Sequence, residues 1–349
     1  MTANVFLTEQ IKKLADFYDV TVVANLSSKK HLLKEISQFA NIKNIPIKRE
    51  IELFSDLKAL LLLMIYLNRE KFSLVHSVSP KAGFLTMLAS WLVRVPVRIN
   101  TYTGQPWATK KGLIRYLLRF FDKVIYILAT KIIVDSHSQL AFLENNKIIT
   151  KSKSKAIVIG KGSISGVDLK RFKVDLKVRS KMRKQFGVNK STFILLFLGR
   201  IKEDKGILEL VKAFSIIHQE FENSVLWCVG PDEDGLQKKL ELVEGVRIFP
   251  YTEKPENYMT AADLFCMPSY REGFGTAVIE AAACGIPSIG TNIYGLIDAI
   301  IDGKTGIIIE PRDYLALTSS IRRLIEDDKL RSAMGGTARA RAIEYFSKE

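Results

Sequence analysis

Between Ala262 and Thr291 the chain reads A-D-L-F-C-M-P-S-Y-R-E-G-F-G-T-A-V-I-E-A-A-A-C-G-I-P-S-I-G-T, and few folds accommodate such a stretch. Leu264 to Met267 is a short apolar run ending at Pro268-Ser269, as a buried strand does. A glycine-bearing loop follows, Arg271-Glu272-Gly273-Phe274-Gly275. Thr276, a natural N-cap, then opens a helix of good formers from Ala277 to Ala283. Gly285 stops that helix, Pro287 forbids its continuation, and Ser288-Ile289-Gly290 begins a second strand. Strand, crossover helix and strand predict an α/β protein with parallel sheets.

A glycine loop between a strand and a helix N-terminus suits an anion. Small residues let a ligand approach the backbone, free N–H groups point outward, and the helix dipole favours negative charge. Glu272 stands at the mouth of this loop and Glu280 eight residues on. At about 100° per residue that spacing leaves the two roughly 80° apart, so they do not form a close carboxylate pair. Glu272 instead reaches past a phosphate from the loop, and Glu280 sits behind it. Carboxylates accept from sugar hydroxyls, which would let one hold a ribose and the other a second sugar. Spacing alone also permits a plainer reading, since acidic residues favour helix starts and exposed helix faces.

The segment S-Y-R-E-G-F-G-T-A-V-I-E-A-A-A-C-G-I-P-S-I resembles the E-x7-E motif of the retaining family-4 glycosyltransferases, especially those of bacterial capsule and O-antigen synthesis. The resemblance implies a GT-B fold, two Rossmann-like domains with parallel sheets facing a central cleft. It extends to other motifs. Thr192 to Leu198 is a continuous apolar strand ending in G-R-I-K-E-D-K-G. There Gly199 permits close approach, and Arg200 and Lys205 put two cations at a strand's carboxyl end, as in the family's diphosphate clamp. The turn G-K-G-S-I-S-G-V-D-L-K-R-F resembles the family's linker signature, with Lys161 where asparagine is usual, so that Gly162, Ser163, Gly166 and Asp168 transfer better than that side chain.

The carry-over assigns departing-diphosphate stabilisation to Arg200, Lys205 and the amides of Gly273, Phe274 and Gly275, with Thr276 beside them. Glu272 would hold hydroxyls of the donor sugar and Glu280 the ribose, while Tyr251 touches the base. His76 and Ser79-Pro80-Lys81 are placed to line a cleft beyond the strand Phe72 to His76; equally, His76 simply ends that strand. Where many relatives carry histidine and glycine near the transferred sugar, Thr103 and Gly104 stand, so catalytic help from that turn is not expected. With Ser163, these residues make up the acceptor side. The expected donor is a nucleotide-sugar, UDP-linked, carrying a hexose-type sugar, and the acceptor a glycan or a polyprenyl-diphosphate-linked one. No metal or cofactor is called for. Two alternatives share the architecture: a UDP-sugar epimerase and a non-catalytic nucleotide-sugar-binding protein. The lack of a G-x-G-x-x-G after an early strand argues against a Rossmann dehydrogenase.

At 349 residues the chain fits two domains. The expected division is 1–170, binding the acceptor, and 171–349, binding the nucleotide-sugar, with the hinge near 168–175. The first domain is expected to lack its opening strand, and the second the terminal helix that crosses back. The surplus charge is uneven. Residues 1–170 hold 26 Lys and Arg against 12 Asp and Glu, whereas 171–349 hold 26 against 25. One domain therefore faces something anionic. Without a zinc pattern or an RNA-binding aromatic motif, a membrane surface is favoured over nucleic acid. The stretch Lys110 to Ala129 carries Lys110, Lys111, Arg115, Arg119 and Lys123 among apolar residues. It reads as an interfacial amphipathic helix or as a domain helix with a solvated basic face. Cys228, Cys266 and Cys284, scattered in apolar context, are expected as buried thiols of a cytoplasmic protein, peripheral on the inner face of the membrane.

Overall fold

The computed structural model describes residues 7–26, 35–48 and 51–348. The chain divides into two compact units, Met1–Asp135 with Leu140–Ile159, and Ser136–Gln139 with Gly160–Glu349.

In the first unit, α1 (Thr8–Ala15) leads to β1 (Thr21–Ala24), which pairs in parallel with β2 (Asn41–Asn44). Residues 45–47 are only the exit of β2. Ile45 N still reaches Ala24 O at 3.1 Å, and Pro46 then has no N–H to continue the ladder. The expectation of a missing opening strand falls on residues 1–6, outside the described residues. Next come α2 (Leu53–Glu70), β3 (Leu74–Ser77), α3 (Pro80–Leu92), β4 (Val97–Tyr102), α4 (Gly112–Leu128), β5 (Lys131–Val134), α5 (His137–Asn145), whose residues up to Gln139 group with the second unit, and β6 (Ala156–Val158). Strands β3 to β6 form a parallel sheet in sequence order. Helix α3 packs between α2 and α4.

Helix α4 buries one apolar side in the core of the unit, with Ile125 and Tyr126 inside and Leu118, Phe121 and Leu128 packed against them, and carries a second apolar stripe outside. Its buried side carries Asp122, Ile125 and Tyr126. The Asp122 carboxylate accepts from Trp107 Nε1 at 2.6 Å, and its carbonyl accepts from the Tyr102 hydroxyl at 2.5 Å. The guanidinium groups of Arg115 and Arg119 lie over the Trp107 ring, 5.8 and 5.3 Å from its centroid. Arg119 also donates to Asn146 O at 2.7 Å. The arginines expected on a solvated basic face thus lean on the body of the unit, while Leu113, Tyr116, Leu117, Phe120 and Ile127 are exposed.

The second unit runs α6 (Leu176–Gln185), β7 (Phe193–Leu198), α7 (Ile207–Glu220), β8 (Ser224–Val229), α8 (Gln237–Leu240), β9 (Val246–Phe249), α9 (Pro255–Ala261), β10 (Leu264–Met267), α10 (Thr276–Ala283), β11 (Ser288–Thr291), α11 (Leu296–Ala299), β12 (Gly306–Ile309), α12 (Tyr314–Glu326) and α13 (Asp328–Phe346). Its sheet is parallel throughout, in the order β12-β11-β10-β7-β8-β9. Ile194 and Leu196 of β7 enter one hydrophobic cluster, Leu195 and Phe197 another. Both faces of the sheet are covered, which is why the strand reads as an unbroken apolar run. Helices α12 and α13 are separated at Asp327, whose side chain accepts from Leu330 N and caps α13. At the far end of α13 the chain returns along Val167: Val167 N donates to Phe346 O at 2.7 Å, and Lys348 N to Val167 O at 3.1 Å. Among the described residues, no helix is long and apolar enough to cross a membrane.

Candidate functional site

From β7 the chain moves outward through β8 and β9, then comes back to the opposite side of β7 to form β10. Reversal of strand order opens a crevice at the carboxyl ends of the two flanking strands, the usual ligand position in open parallel sheets. The loops after β7 and β10 are the two that carry the quoted motifs, residues 199–206 and 268–275.

These loops are fastened together. Tyr270 N donates to Asp204 O at 3.0 Å, and Arg271 Nη2 lies 3.4 Å from Asp204 Oδ2. Lys205 Nζ bonds Glu272 Oε1 at 2.5 Å, with both side chains only 14% exposed. Gly206 makes this approach possible. Its φ is +68°, and a Cβ there would stand 2.0 Å from the Pro268 carbonyl oxygen, so only glycine fits. Arg200 leaves the same loop but turns toward the loop after β8, where Nη1 meets Glu233 Oε2 at 2.9 Å. The two expected cations therefore hold different carboxylates. Gly199 has no left-handed φ, and an added Cβ would make only an ordinary 3.6 Å contact with Phe197.

The N–H groups of Gly273, Phe274 and Gly275 have no hydrogen-bond partner among the described residues. The Phe274 ring is buried edge-on to Phe346, with centroids 5.3 Å apart, so its side chain fixes the loop while its amide stays free. Thr276 is the first helical residue and not the cap. Gly275 holds the cap position at φ +87°, a conformation threonine does not readily adopt, and no side chain caps α10. Thr276 Oγ1 lies 3.4 Å from Ser165 Oγ. Nearby Ser163 sits at φ +63°, and its buried hydroxyl has no partner among the described residues. Asp204 Oδ1, Ser269 Oγ and Arg271 Nε are likewise buried and unsatisfied. Buried polar atoms of this kind concentrate where water or a ligand completes the bonding.

Glu280 retains some exposure, yet the protein around it pushes its carboxyl up from 4.5 to about 7, against the opposing pull of Lys348 and Arg171. Burial, which disfavours the charged form, is the main cause. Tyr251, just past β9, is 48% exposed. In the first unit, His76 Nε2 and Thr101 Oγ1 are 2.8 Å apart across β3 and β4, Thr103 Oγ1 donates to Val78 O at 3.3 Å, and Gly104 has φ +112°. His76 is thus tied to the neighbouring strand at the carboxyl edge of its sheet. Among the described residues no group of three or more His, Cys, Asp or Glu is arranged to hold a metal. Asp204, Ser269, Tyr270 and Arg271 were not singled out from sequence, although each adjoins a motif residue that was.

Residues 178–341 match the family model for glycosyl transferases group 1, and residues 2–153 that for the glycosyl transferase 4-like domain. The capsular polysaccharide biosynthesis glycosyltransferase CapM of Staphylococcus aureus is 35% identical over 328 residues, covering 90% of this chain and 84% of CapM. An Escherichia coli enzyme named UDP-Gal:alpha-D-GlcNAc-diphosphoundecaprenol alpha-1,3-galactosyltransferase is 25% identical over 308 residues, 86% of this chain and 78% of its own. Among solved structures, Anabaena HepE in complex with UDP and glucose superposes with a TM-score of 0.80 at 21% identity, covering 99% of this chain and 92% of HepE. Sucrose-phosphate synthase from Thermosynechococcus elongatus also gives 0.80, at 22% identity, over 97% of this chain and 88% of that one.

Proposed function

This chain belongs to the family-4 glycosyltransferases of GT-B fold, and from that membership we propose that its second unit binds a UDP-linked hexose-type sugar for transfer with retained anomeric configuration. It is a glycosyltransferase of capsule or related polysaccharide biosynthesis. The acceptor in this reading is a glycan on a polyprenyl diphosphate, and the basic first half of the chain meets an anionic membrane surface. Support for the donor comes from HepE, solved with UDP and glucose, and support for both substrates from the name of the E. coli relative.

The Lys205–Glu272 contact carries the reading. In a nucleotide-sugar, the bond to be broken joins a phosphate to a sugar carbon. A cation that holds the phosphate and a carboxylate that holds the sugar hydroxyls must therefore stand side by side, as these two do at 2.5 Å. As the C1–O bond breaks, charge grows on the diphosphate. The free amides of Gly273, Phe274 and Gly275 and the Lys205 ammonium beside them meet that charge, and Arg200 joins them by exchanging Glu233 for the phosphate. Glu280 then accepts from the ribose, and Tyr251 packs on the base. Thr276 follows the second of these loops, and Gly199 leaves room for the phosphates. His76, Thr103, Gly104 and Ser163 are assigned to the acceptor.

Replacing Lys205 or Glu272 by alanine is expected to lower transfer about a hundredfold or more while far-UV circular dichroism stays unchanged. Unimpaired turnover in both variants, measured with UDP-glucose or UDP-galactose and a lipid-linked acceptor, refutes the assignment.

A further inference from the structure

Helix α4 presents its apolar stripe to solvent. Leu113 is 84% exposed, Phe120 59% and Ile127 62%, with Tyr116 and Leu117 filling the turns between them. These positions recur at helical spacing on one side of a 17-residue helix, a strip about 25 Å long. The opposite side is committed to the unit through Asp122, Trp107 and the two stacked arginines. No rotation about the helix axis could bury the stripe without breaking that polar anchor. Exposed lysines flank it, Lys110 and Lys111 at the N-terminal end and Lys123 along one border.

We infer that α4 lays this stripe into the boundary between headgroups and acyl chains of an anionic bilayer, its lysines reaching the phosphates and its arginines staying on the protein side. This deepens the membrane reading above by naming the element and the force. Attachment comes from apolar burial, with charge in support. Charge decides the occupant. A second copy would bring another surplus of lysine and arginine against the first, since residues 1–170 hold 26 basic against 12 acidic side chains. An anionic lipid surface satisfies the apolar stripe and the lysines together, because lysine stems lie along apolar surface while their ammonium groups stay in water.

The test is co-sedimentation of the full chain with phosphatidylcholine vesicles containing roughly one-third phosphatidylglycerol. The wild type is expected to sediment with them and to remain largely bound when salt is raised. The double variant L117E/F120E is expected to lose at least about tenfold in vesicle affinity, L117A/F120A less, and K110E/K111E/K123E only a few-fold. Vesicle binding by L117E/F120E equal to that of the wild type overturns the inference, and so does a wild type that never sediments. A dimer in light scattering that L117E/F120E abolishes, with no vesicle binding by the wild type, also overturns it and assigns the stripe to self-association. UDP-induced thermal stabilisation is read on the same samples. Its retention in L117E/F120E shows an intact fold, and its absence from the wild type would count against the donor reading without touching this one.

Discussion

Glu280 illustrates how little of a side chain's role lies in its own chemistry. Glutamates 272 and 280 are the same residue type eight positions apart, yet one is ion-paired to Lys205 and the other has its pKa pushed up to about 7 by burial. The consequence for stability has a definite sign. The folded-state pKa of about 7 lies above the unfolded value of 4.5, so the folded chain binds this proton more tightly. That contribution is present in full below pH 4.5 and is lost as pH rises through about 7. If Glu280 holds the ribose, binding runs in the opposite direction, because a ribose hydroxyl donates best to an ionised carboxylate. Affinity for UDP-glucose, a diphosphate diester without a group titrating in this range, should tighten several-fold between pH 6 and 8 in the wild type and stay nearly flat in E280Q. Calorimetric titration at both pH values checks it, and equal slopes for the two proteins would remove Glu280 from the ribose. Over the same range, the melting temperature of the wild type should fall relative to that of E280Q.

At the scale of elements, the glycine turn between β7 and α7 decides whether the site exists. Gly206 combines a left-handed φ with a carbonyl oxygen where its Cβ would be, whereas Gly235, at φ +70°, has nothing within 4 Å. The pair separates backbone strain from collision. G235A is expected to cost about 1 kcal/mol, the penalty of a left-handed residue alone. G206A must also displace the D-K-G turn from Pro268, taking Lys205 off Glu272, so transfer should fall nearly as far as in K205A. Thermal unfolding and initial rates compare them, and near wild-type rates in G206A would show that the turn does not position Lys205. Much of this was legible beforehand, since the strands Leu264–Met267 and Phe193–Leu198 begin and end where the apolar runs do. What sequence left open had a common cause. Periodicity shows that a helix has two unlike sides but not which is inside, and in α4 the answer came from Trp107 and Asp122, partners fifteen residues apart. Likewise Thr276 has the chemistry of a cap, but the left-handed conformation at Gly275 takes that position first. The clasp of Asp204 with Tyr270 and Arg271 joins loops more than sixty residues apart, a distance that no local pattern spans.

Across the whole molecule, the two units differ in what they offer a partner. The surplus positive charge and the exposed apolar helix belong to the first, while the second is nearly balanced in charge and holds the two fastened loops after β7 and β10. All three cysteines also lie in the second unit, and they provide a probe of it. Cys228 and Cys266 sit on β8 and β10 in the middle of the sheet, and Cys284 directly follows α10, each buried. Burial drives the thiol of Cys284 up to about 12 and those of Cys228 and Cys266 higher still, so none offers a thiolate at neutral pH. A thiol reagent should therefore label the native chain only through opening of this unit, and all three cysteines rapidly in denaturant. If the donor binds these loops, it closes that route by mass action. At a hundred times its dissociation constant, UDP-glucose should slow labelling about a hundredfold. Charge-reversed K110E/K111E/K123E should be protected to the same degree, because its substitutions lie wholly in the first unit. Labelling at an unchanged rate with saturating UDP-glucose would mean that the nucleotide-sugar does not bind the second unit, whatever the rest of the chain does.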